Sequence, residues 1–73
     1  MEDYKQRMIE EYQFVKEKYD KLHKLFVKHE AGTLGFEFNC PIKLLQDQAN
    51  AMLQYLYILE IRAELEGIGD ELH

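Results

Sequence analysis

Lys21, Lys24 and Lys28 stand at i, i+3 and i+7, a spacing that on a helix places three ammonium groups on one face. Such a face can neutralise phosphate oxygens, and lysines near a helix C-terminus are also favoured by the helix dipole alone. Phe36, Phe38 and Tyr57 offer aromatic faces on which a planar base can stack. Arg62 falls at the edge of an apolar stripe beside Ile58 and Leu59. Its guanidinium is expected either to pair with Glu66 or Glu11, or to reach a polar ligand across a subunit junction. These seven side chains form the candidate set for binding an anion that carries a base.

Catalytic chemistry is not expected. Cys40 is the single thiol, and the nearest histidine in sequence, His29, lies across a glycine-containing segment, so no nucleophile and base adjoin. Gly32, Gly35, Gly67 and Gly69 fit neither a phosphate loop nor a dinucleotide fingerprint. Asp20 and His23, or Glu60 and Glu64, share helix faces, but helical di-metal sites use two Glu-x-x-His segments and this chain has none. The expectation is therefore no metal, no cofactor and no enzyme. A lone cysteine excludes an intrachain disulfide and favours a reducing, cytoplasmic setting.

The chain has 73 residues, a formal charge of −5 and a pI near 5.1, which argues against binding duplex nucleic acid through a basic face. Charge is unevenly spread. Five lysines crowd Lys16 to Lys28, whereas Glu60, Glu64, Glu66, Asp70 and Glu71 make an acidic C-terminal face suited to a protein partner. No signal peptide is read at the start, and the longest uncharged stretch, Gln48 to Leu59, is far short of the roughly 20 apolar residues of a membrane span.

Two helices must position these groups, in one domain spanning residues 1–73. Met8, Tyr12, Val15, Tyr19, Leu22, Phe26 and His29 follow one another at alternating spacings of four and three, an unbroken heptad seam that predicts a helix over about 2–30. Ala31-Gly32-Thr33 ends it. Asn39-Cys40-Pro41 then predicts the start of a second helix over about 41–66, stopped by Gly67, with a short tail over 67–73 expected to fray. The loop over 31–39 is read either as an apolar plug for the end of the hairpin or as a pocket wall.

The second helix is apolar on almost every side, as a central helix would be. A lone hairpin would leave much of that surface in water. The fold expected is thus all-α, an antiparallel two-helix hairpin assembling into a homo-oligomeric helical bundle. Its expected interface is Leu45, Ala49, Met52, Leu53, Leu56, Leu59 and Ala63, with Gln48 and Asn50 setting register.

Asp3-Tyr4-Lys5-Gln6-Arg7, Glu11-Tyr12, Tyr19-Asp20-Lys21-Leu22, Glu30 to Phe36, Cys40-Pro41 with Leu44-Leu45, and Leu56 to Glu66 closing on Gly67-Ile68 make the chain similar to small phage- and prophage-encoded proteins grouped with a crAss-like phage product. That resemblance implies a short helical phage protein in the bacterial host cytoplasm. The hairpin plan, with Leu45-x-x-Gln48 to Ala51-Met52, also resembles the helical hairpin of phage sponges, the anti-CBASS and anti-Thoeris proteins. Those oligomers hold cyclic nucleotide signals between subunits without cleaving them. The resemblances imply a cyclic or phosphorylated nucleotide as ligand and a countering of host defence. The alternatives are an inhibitor of a host defence protein acting through the acidic face, in the manner of an anti-CRISPR, and a purely structural hairpin.

Overall fold

The computed structural model describes residues 3–72. The expected helix start at Glu2 and the last tail residue, His73, lie outside the described residues. Helix α1 spans Asp3–Ala31 and α2 spans Ile42–Leu65, followed by a 3-10 turn, Gly69–Leu72. Among the described residues there is no strand, and the architecture is a helical hairpin. It is a rod of 47 × 17 × 17 Å with a radius of gyration of 15.1 Å, against about 11 Å for a compact chain of this length.

Both helices end in the same device. Gly32 adopts φ +75° and Gly67 φ +77°, a left-handed backbone that a Cβ disfavours. At the end of α1 the Gly32 amide donates to the His29 carbonyl and that of Thr33 to Lys28. At the end of α2 the Gly67 amide donates to Glu64 and that of Ile68 to Ala63. These are paired Schellman bonds that satisfy the last carbonyls of each helix. The start of α2 differs from expectation: Pro41 itself is the capping residue, with ψ 137°, and no side chain caps the helix. Asn39 therefore does not act as a cap. Cys40 is only half-buried.

Three tyrosine–carboxylate bonds cross between the antiparallel helices. Tyr4 Oη donates to Glu66 Oε1 at 2.7 Å, Tyr12 Oη to Glu60 Oε2 at 2.7 Å and Tyr55 Oη to Glu11 Oε2 at 2.9 Å. Bonds to a charged acceptor are the stronger class. The ion pairs Lys16–Asp20, Lys21–Glu17 and Lys43–Asp47 run along single helices at i, i+4, where exposed pairs stabilise by only about 0.3–0.5 kcal/mol.

The core lies at the end of the rod away from the loop. Met8, Ile9 and Tyr12 of α1 pack on Leu56, Leu59 and Ala63 of α2. Over the described residues 67–72 the tail packs back on the hairpin. Gly67 turns it back so that Ile68 and Leu72 close over this cluster and are themselves buried. Burial drives the return, because each aliphatic side chain removed from water contributes about 1.5–3 kcal/mol.

Leu56, Leu59, Ala63 and, nearer the loop, Ala49 are buried against α1 within the protomer, and Leu45 and Met52 are half-buried. The stripe expected to meet a second copy is thus the one the hairpin uses for its own closure. Leu53 alone of that set stays exposed.

Candidate functional site

A groove of about 420 Å³ runs along α1, lined by Tyr12, Gln13, Lys16, Glu17, Asp20, Lys21, Lys24 and Leu72. The heptad seam turns Tyr12 inward, and the intervening positions of α1 then carry Lys16, Lys21 and Lys24 along the groove. The returned tail supplies the opposite wall through Leu72. Three ammonium groups face two carboxylates here, so the lining is net cationic in an acidic protein.

The ion pairs divide the lysines by role. Lys16 Nζ lies 2.9 Å from Asp20 Oδ1 and Lys21 Nζ 3.3 Å from Glu17 Oε1. Lys24 has no ion-pair partner among the described residues. It is exposed, so a bound anion would keep solvent on one side and its attraction would be screened by salt. Sequence reading singled out Lys21 and Lys24; Lys16 and Tyr12 were missed as lining residues, since only the closed hairpin shows which flank of the seam becomes a wall.

Tyr12 closes the floor of the groove. Its side chain is 2% exposed. Burial, and then the Glu60 carboxylate that accepts its hydrogen bond, push the phenol up to about 12, because burial disfavours the phenolate charge and Glu60 makes it a second negative charge at that point. The Tyr55 phenol moves in the same direction, chiefly through its bond to Glu11.

The remaining expected ligand residues are dispersed. Lys28 is exposed on α1 one turn beyond Lys24, where its carbonyl accepts the Thr33 amide. Phe36 and Phe38 meet edge to face at 5.9 Å, and Phe38 lies 5.8 Å from the His29 ring. Phe36 is 57% exposed, so the loop aromatics cluster beside the end of α1 and do not plug the core. Tyr57 projects into solvent, 62% exposed. It sits about 22 Å along α2 from the loop, at 1.5 Å per residue.

Arg62 pairs with neither expected acid: Glu66 accepts from Tyr4 and Glu11 from Tyr55, and Arg62 is exposed without an ion-pair partner among the described residues. Within one protomer, then, Lys21 and Lys24 share a groove, while Lys28, the loop aromatics, Tyr57 and Arg62 do not line it.

The acidic face is reorganised too. Glu60 and Glu66 serve as tyrosine acceptors, leaving Glu64, Asp70 and Glu71 exposed. Among the described residues no three His, Cys, Asp or Glu side chains gather as a metal set. Asp20 accepts from Lys16, and His23 stacks on Tyr19 at 5.9 Å. No described helix is long and apolar enough to cross a membrane.

Hairpin and groove together define a small all-helical protein whose open, lysine-bearing groove is built on one helix, with Leu72 of its own tail in the lining. Its lineage is set by the match of the family model described as Sequestin to residues 2–65: the chain belongs to the Sequestin family. The match takes in both helices and stops short of the tail that walls the groove. No curated protein and no solved structure matches the chain.

Proposed function

We propose that this protein is a phage accessory protein that counters host antiviral defence by holding a cyclic or phosphorylated nucleotide signal, without turning it over, at sites completed by homo-oligomerisation in the bacterial cytoplasm. The observation that carries this reading is the groove in which Lys24, without an ion-pair partner among the described residues, stands beside Lys16 and Lys21, with the buried Tyr12 in the same lining. Support comes from the family, whose name is that of a sequestering protein.

Lys24 and Lys21 neutralise phosphate oxygens. Each ammonium–phosphate contact contributes on the order of 1 kcal/mol in a solvated groove. The base stacks on an aromatic face, and since Phe36, Phe38, Tyr57 and Arg62 lie outside the groove, any of them that contributes does so from a second copy. Lys28 extends the cationic face towards the loop.

Titration calorimetry with a panel of cyclic and linear nucleotides tests this. Lys24→Glu weakens binding by about tenfold or more, and raising the salt concentration weakens the parent protein in the same direction. Affinity unchanged by Lys24→Glu, with helicity intact by circular dichroism, removes the groove from the account.

A further inference from the structure

The loop joins the two helices at one end of the rod, and the tail closes them at the other. Residues 67–72 turn back at Gly67 and pack on both α1 and α2. Their anchors are Ile68 and Leu72, 7% and 5% exposed, which join Met8, Tyr12, Leu59 and Ala63 in the core cluster. We propose that this segment is a clasp hinged at Gly67, and that its closing and the filling of the lysine groove by a phosphate ester favour one another. The inference rests on the reading of that groove as a ligand site and assigns it a control.

The clasp is held in a way that allows release. The Gly67 and Ile68 amides donate to Glu64 and Ala63, and the Glu71 amide donates to Ile68 within the turn. Among the described residues no side chain of 67–72 makes a hydrogen bond or an ion pair. Closing therefore sets the burial of two aliphatic side chains against the ordering of six residues of backbone, contributions of similar size and opposite sign. Segments balanced in this way open locally before the fold as a whole does. The hinge depends on backbone freedom and not on room: Gly67 holds φ +77°, which L residues disfavour, although a Cβ there meets nothing within 4 Å.

Leu72 links the clasp to the groove, since it shares the core cluster with Tyr12 and lines the groove with it. Opening the clasp takes that contact from the groove and admits water to Tyr12. A ligand lying against Leu72 holds the clasp shut, by the same factor by which closure strengthens its binding. The turn that ends in Leu72 also carries the exposed carboxylates of Asp70 and Glu71, which repel a bare anion. The control thus favours ligands that join phosphates to a base and sugar over inorganic phosphates.

A chain of 73 residues is within reach of chemical synthesis, so the hinge is tested with residues of opposite hand at position 67. L-alanine opposes the positive φ and D-alanine favours it, and neither alters a side chain of the groove or core. Without ligand, the phenol of a ring-labelled Tyr12 is followed by NMR. It is held at about 12 by burial and by the Glu60 and Asp20 carboxylates; in Gly67→Ala it titrates lower, towards its ordinary 10.0, and with D-alanine it keeps the parental value. In calorimetry with the cyclic and linear nucleotides above, Gly67→Ala binds about fivefold more weakly than the D-alanine chain, while inorganic pyrophosphate binds both alike. An unshifted Tyr12 in Gly67→Ala, with helicity intact by circular dichroism, overturns the clasp. A shifted Tyr12 with equal nucleotide affinity in the two chains, or an equal loss for pyrophosphate, overturns the link through Leu72 and leaves the groove reading standing. A nucleotide panel that neither the parent nor the D-alanine chain binds overturns both.

Discussion

The two ends of the rod carry the same hydrophobic pattern and bury it to different depths. At the tail end Met8 and Tyr12 are buried with Leu56, Leu59 and Ala63 under Ile68 and Leu72. Towards the loop the same seam continues through Val15, Tyr19, Leu22 and Phe26, every one of them only half-buried, and His29 is exposed. A groove of about 280 Å³, lined by Leu22, Leu25, Gln48 and Met52 with Lys18 and Lys21, lies open between the helices there. The lesson is that two helices do not bury a wide apolar arc between them; a third segment does. The returned tail is that segment at one end, and the loop, whose aromatics pack on one another and on His29, is not its counterpart at the other.

The sharpest way to break this contrast is to cut the same volume from each end. Leu59, 1% exposed, loses about 2–5 kcal/mol of stability on truncation to alanine, which is much of what a domain of this size possesses. Met52→Ala, in the open half, costs about 1 kcal/mol or less. Urea melts followed by circular dichroism measure both, and equal losses would mean that the loop end is as well packed as the tail end.

A smaller effect isolates the polar tie at the closed end. Tyr12→Phe removes the bond to Glu60 and costs about 1–3 kcal/mol at neutral pH. Burial of the phenol first, and this bond second, make stability depend on alkaline pH. The phenol is raised to about 12 from its ordinary value of 10.0, so between these values the unfolded chain releases a proton that the native state keeps. The stabilisation is therefore whole below pH 10 and is lost as pH rises towards 12. Urea midpoints fall across that window in the parent protein and fall less steeply in Tyr12→Phe; parallel profiles would show that Tyr12 does not carry the effect.

Much of the hairpin was legible because its signals are local. The α1 seam, Gly32, Pro41 and Gly67 each act through their own φ/ψ or spacing, and the structure places helix ends at all of them within a residue or so. What was not legible is what depends on pairing at a distance. No periodicity in six or seven tail residues announces that Ile68 and Leu72 return to the core. The bonds from Tyr4, Tyr12 and Tyr55 need a register that local pattern does not supply. The orientation of α2 was ambiguous for a plainer reason: with apolar residues on every side, the pattern does not say which stripe α1 will take. The candidate site shared that fate. Lys21 and Lys24 were visible as a face of α1, but the part of the groove that Leu72 lines exists only once the tail has folded back.

The most direct test of the account is native mass spectrometry of the protein alone and after mixing with a panel of cyclic and linear nucleotides. A homo-oligomer that retains nucleotide, chemically unchanged, at a fixed ratio to subunits is the expected result. A monomer that retains none of the panel would contradict it.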